Sequence, residues 1–234
     1  MYGLPIVIET GDDIDDLCDF EVVYDPPPGS DFIEAVLAAS PDVSNKIHDE
    51  PLSFLLAGYK YEHLVLFREA LVHVVALWEE KYEWKETLKS VPVVLEAVIS
   101  SYSWAVRDVT EVEVFIDKYV KDEEEIRQLR DEAWKAIFGR PKECLSKRRR
   151  AAIAPAAVPL FTPTLAQKVP YFRFIYEKLQ KPGMEFYQDL AEDLEVILGS
   201  KLVLDKSRVS GVGNCKNRIL CASLEDQFMP WTNL

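Results

Sequence analysis

Few residues of this 234-residue chain are placed to do covalent chemistry. Cys215 follows Gly213-Asn214 on a tight turn that could present a thiolate. A thiol nucleophile needs an imidazole base within hydrogen-bond reach, and no His follows Cys215. The turn therefore reads as part of a hairpin with an incidental thiol. The Cys residues at 18, 144, 215 and 221 form no CxxC pair and have no His nearby, so neither a zinc site nor a disulfide framework is implied. The loop before Cys215 also lacks the GxxxxGK[ST] order of a phosphate cradle. His63 and His73 are ten positions apart, about 80° around a helix, too far for a shared metal unless other helices contribute. Both read as hydrogen-bonded residues at the edge of a core; a role for His73 would draw on Glu69 one turn earlier. His48 has no evident partner. Taken together, these residues imply no catalytic group, no metal and no cofactor.

Charge is the second chemical resource, and it is unevenly spread. The first fifty residues hold 13 Asp and Glu against one Lys, a balance of −12 within a total of −13. A pI near 4.8 opposes general nucleic-acid binding, because phosphate neutralisation needs clustered Lys and Arg. Within the acidic segment, Ile14, Leu17 and Phe20 form a pattern suited to docking on a basic, apolar groove, although excess like charge also favours partial disorder. Lys147-Arg148-Arg149-Arg150 is the one strong cationic run. It reads as a solvated loop, as an import or nucleic-acid contact, or as the counterpart of the acidic segment in the same molecule or a second copy. Trp231, beside Met229 and Pro230 near the C-terminus, either docks back onto the helices or anchors a partner.

The elements that must position these groups are mostly helical. Leu64, Phe67, Leu71, Val74, Val75 and Trp78 recur at three- and four-residue steps, marking the core face of a long helix with Glu62, Arg68, Glu69 and Glu79 elsewhere on it. Residues 91 to 106 repeat the pattern after Pro92, which suits a first turn. Further helices are expected at about 110–120, 122–138, 164–180 and 184–198, and a short one runs from the Ser30 cap to about Ala39. Residues 4–8 and 20–24 are β-prone and could pair as an irregular hairpin, and Lys201–Val209 with Arg218–Ala222 predict a terminal hairpin about Ser210-Gly211-Val212-Gly213-Asn214. The expected fold is mainly α, a helical bundle with short β segments near the N- and C-termini. Its organisation is an acidic segment with a short helix at 1–50, a helical core at 51–145, a basic and Pro/Ala-rich linker at 146–163, and a helical pair plus hairpin at 164–234.

The phrase Leu55-Leu56-Ala57-Gly58-Tyr59-Lys60-Tyr61, followed by Leu66-Phe67-Arg68-Glu69-Ala70-Leu71-Val72-His73-Val74-Val75, resembles the helical region after the BTB core in fungal BTB/POZ-like proteins. There a Leu-Ala helix precedes a Phe-Arg/Lys-Glu-Ala helix that ends in hydrophobic residues and a His. The match covers about a tenth of the chain, and no mixed sheet of a BTB core is evident upstream. The resemblance implies a protein-interaction role without cofactor and carries over no catalytic residues.

The resulting expectation is a non-enzymatic interaction or scaffold module, BTB-like in its helical region, that binds a protein partner or itself. Its partner-binding residues are Ile14, Leu17, Phe20, Lys147, Arg148, Arg149, Arg150 and Trp231. The alternative is a nucleic-acid-associated regulatory or viral structural protein using residues 147–150. No charged start with an apolar core opens the chain and no apolar run approaches a bilayer span, so an intracellular, cytoplasmic or nuclear location without membrane contact is expected.

Overall fold

Apolar periodicity decides the architecture, and the computed structural model describes it over residues 8, 10–14, 16, 37, 40, 42–139, 163–224 and 229–231. Eight α-helices are labelled here: α1 Val43–Asp49, α2 Pro51–Lys60, α3 Leu64–Leu77, α4 Tyr82–Leu88, α5 Pro92–Asp122, α6 Glu124–Phe138, α7 Leu165–Leu179 and α8 Gln188–Leu198. Single 3-10 turns occupy Glu185–Tyr187 and Gly213–Cys215. None of these helices is long and apolar enough to cross a membrane. The chain divides into two compact units, one of residues 1–104, 200–208 and 222–234 and the other of residues 105–199 and 209–221.

In the first unit, Pro51 takes the first position of α2, where its missing N–H leaves no bond unmade. Gly58 lets α3 approach: a Cβ there would lie 2.7 Å from the Phe67 nitrogen. Glu62, at φ 51°, reverses the chain after α2, and the His63 N–H donates to the Gly58 carbonyl at 2.9 Å. The His63 side chain then caps α3, with Nδ1 accepting from the Leu66 N–H at 3.2 Å. From Leu66 to Ala76 only Arg68 is not buried, so α3 is enclosed almost all round, beyond the single core face its spacing predicted. Residues 11–14 are a helical turn. Thr10 N–H donates to Asp13 Oδ2 at 2.8 Å and Gly11 N–H to Ser53 Oγ at 3.0 Å, which together seat Ile14 in the core at 1% exposure.

α5 runs unbroken for 31 residues, joining the helices expected at 91–106 and 110–120. No Gly or Pro interrupts it after Pro92, and Thr110 Oγ1 donates back to the Val106 carbonyl at 2.7 Å across the expected gap. In the second unit, α6 ends on Gly139 at φ 68°, a left-handed cap that glycine adopts without strain. Thr164 and Gln167 form a reciprocal capping box at the start of α7. Trp134 and Tyr171 meet edge-to-face at 5.5 Å between α6 and α7, and Lys168 pairs with Glu113 at 2.9 Å between α7 and α5.

The terminal hairpin is not formed: no strand occurs among the described residues. The donors a ladder would need are taken by side chains. Glu69 accepts from the N–H groups of Val203 at 2.6 Å and Leu204 at 3.0 Å, and Ser210 Oγ accepts from the Leu220 N–H at 2.8 Å. Arg173 Nε holds the Ser210 carbonyl at 3.0 Å, fixing the turn on α7. Of the β-prone run at 4–8, only Ile8 is described, and the runs at 20–24 and most of 30–39 lie outside the described residues.

Candidate functional site

Cys215 sits in its 3-10 turn at 1% exposure. Its thiol is packed in the second unit, where a nucleophile would have to meet substrate. Cys221 is also a buried free thiol. No group of three or more His, Cys, Asp and Glu able to hold a metal ion occurs among the described residues.

The histidines belong to the core of the first unit. His63 is a helix cap, as its bond to Leu66 shows. His73 is fully buried on α3, and its ring meets His48 of α1 edge-to-face at 5.3 Å. His48 Nδ1 lies 2.9 Å from Asp49 Oδ1. Glu69 departs furthest from expectation, because it is fully buried although its spacing placed it off the core face. Its Oε2 ties residues 203 and 204 to α3, while Oε1 is buried without a hydrogen bond. Burial pushes this carboxyl above its ordinary value, against the opposing pull of the N–H groups of Leu204, Val203 and Asp205. The group is a strut between α3 and the 200–208 segment.

The residues expected to meet partners are scattered. Ile14 is a core side chain of the first unit. Trp231 is partly covered and packs edge-to-face on Phe67 at 5.2 Å, the docked-back alternative of the two expected for it. Leu17, Phe20, Lys147, Arg148, Arg149 and Arg150 lie outside the described residues.

A surface absent from the sequence expectations lies in the second unit. A groove of about 580 Å³ opens between α7 and α8, lined by Tyr176, Leu179, Met184, Glu185, Glu192 and Glu195 among others. Leu179 is buried, whereas Glu185, Glu192 and Glu195 are exposed. Beside Glu185, Phe186 is 90% exposed, the highest value of any large apolar residue described. Sequence periodicity hid it: a continuous helix would place Phe186 one turn before Leu190, on the buried stripe of Leu190, Leu194 and Ile197. The 3-10 turn Glu185–Tyr187 alters that register and buries Tyr187 instead. The Tyr187 hydroxyl lies 3.4 Å from carboxylate oxygens of both Glu123 and Glu125. The useful signal was Lys181-Pro182-Gly183, a break that does not guarantee an α-helical restart.

No family model, curated protein or solved structure matches this chain. The groove has a mainly polar lining with three exposed carboxylates, and the Phe186 ring is exposed in the turn that precedes α8.

Proposed function

We propose that the chain is a non-enzymatic protein–protein interaction or scaffold module, with an adaptor role of the kind its α2–α3 phrase implies through the resemblance to fungal BTB/POZ-like proteins. The observation that carries this reading is Phe186, 90% exposed in the 3-10 turn that precedes α8. A large aromatic ring left in water is the kind of side chain from which binding hot spots are built. The burial of Cys215 and the structural roles of His63 and Glu69 support the same direction, since each candidate for chemistry has a packing or capping task.

Affinity capture with the full chain tests the reading, alongside a variant in which Lys147, Arg148, Arg149 and Arg150 are all Ser. A protein partner retained by both chains is the expected result. Nucleic acid held by the wild type and lost from the variant, with no protein partner, would replace this reading with a nucleic-acid-associated role.

A further inference from the structure

We propose that a pocket in the first unit binds a short-chain apolar carboxylate. The inference does not depend on the interaction-module reading, since the pocket and its ligand belong to other residues. The pocket has a volume of about 200 Å³ and opens between α3 and the segments at 201–203 and 222–224, all within that unit. Its lining is mainly apolar. Buried Leu71 and Val72 of α3, with buried Leu224, close its core side, and exposed Val203 carries the apolar lining outward. The charged residues that line it are Arg68 and Lys201, with no carboxylate among them, in a chain whose net charge is −13. Lys201 is exposed and forms no ion pair among the described residues.

The carboxylates next in sequence to these walls are committed elsewhere. Glu69 Oε2 accepts from the N–H groups of Val203 and Leu204, and Asp205 pairs with Arg208 at 2.9 Å. Glu69 thereby fixes the segment bearing Val203 to α3, so the pocket is formed before a ligand arrives. The two kinds of lining select the occupant. A small inorganic anion would leave the apolar walls in water. A neutral hydrocarbon would cover two cations without supplying a counter-charge. A carboxylate on an alkyl chain serves both, and at about 30 Å³ for each water-sized group the volume holds roughly six carbons. A polypeptide fits less well, because pairing its main chain along this wall would need the N–H groups of Val203 and Leu204, which Glu69 has taken.

The test is a titration of the ¹⁵N-labelled full chain with sodium hexanoate, followed by amide shifts. Saturable shifts at Val72, Val203, Ser223 and Leu224 are expected, with a dissociation constant of about 0.1–1 mM that rises with salt. Hexan-1-ol and acetate each lack one half of the ligand and should bind about tenfold more weakly or worse. Lys201→Glu should weaken hexanoate about tenfold, Lys201→Arg should retain it, and Val203→Asn should reduce it. Both positions are exposed, so amide spectra unchanged away from the pocket will establish that the variants are folded. Hexanoate binding that survives Lys201→Glu would overturn the proposal, as would equal binding of hexan-1-ol or the absence of saturable shifts at these residues. An N-acetylated peptide ending in Leu with a free carboxylate, if it displaced hexanoate at lower concentration, would also overturn it and assign the pocket to a partner's C-terminus.

Discussion

Glu69 joins two features that ordinarily exclude one another, a fully buried side chain and a carboxylate. Two backbone donors at 2.6 and 3.0 Å make the placement tolerable, and desolvation still dominates, so the folded chain binds this proton more tightly than the unfolded chain does. Stability from this group is accordingly full below the unfolded value near 4.5 and declines as pH rises through the higher folded value. Glu69→Gln keeps a carbonyl acceptor and removes the charge. Urea unfolding of the two proteins across pH should show the variant gaining on the wild type as pH rises from about 4.5 and matching or exceeding it at neutral pH. A variant that loses stability steadily relative to wild type over that range would show that the charge itself is favourable. Glu69→Ala leaves the N–H groups of Val203 and Leu204 without their acceptor and should destabilise the fold by about 2 kcal/mol. None of this was legible from spacing. Periodicity identifies the apolar face of α3, but a helix enclosed on nearly every side also buries its polar positions, and the partner of Glu69 lies 134 residues away in sequence.

At the scale of elements, α2 and α3 are held by a contact that local propensity opposes. Ala is a better helix former than Gly by about 1 kcal/mol, yet the Cβ of Gly58→Ala would stand 2.7 Å from the Phe67 nitrogen and 2.9 Å from its Cα. Backbone cannot give way as a side-chain tip can, so a net loss of about 1–3 kcal/mol is expected in denaturant unfolding, and a gain would mean that α2 is free to slide on α3. Thr164→Ala, which breaks the capping box of α7, should lower stability by about 1 kcal/mol; Thr164→Ser should retain most of it. These helices were readable because apolar spacing and Pro92 are local signals. The terminal hairpin was misread for a complementary reason. Lys201–Val209 and Arg218–Ala222 have strand-like composition, but Glu69 and Ser210 take N–H groups that a ladder would use, and composition carries no record of such distant acceptors. The groove fell between these cases, since its helices were expected and the 3-10 turn that turns Phe186 outward was not.

Across the whole molecule, sequence order and compact units do not coincide. Residues 200–208 and 222–224 belong with the first 104, whereas 209–221 belong with 105–199. Each unit buries its own side chains: Phe54, Phe67 and Leu71 in one, Trp134, Tyr171 and Phe172 in the other. Local opening follows shared buried contacts rather than adjacency in the chain. Hydrogen exchange read by mass spectrometry should therefore assign each substitution to its unit. Glu69→Ala is expected to lower protection over residues 43–88 and 200–208 more than over 124–198, and Thr164→Ala to do the opposite. α5 makes the prediction demanding, because its 31 residues run through the division without a break. If its halves follow their respective units, residues 92–104 will lose protection with the first variant and 105–122 with the second. Equal loss along the whole chain in both variants would show instead that α5 binds the units into one cooperative structure, so that a change at Glu69 reaches the α7–α8 groove through stability alone.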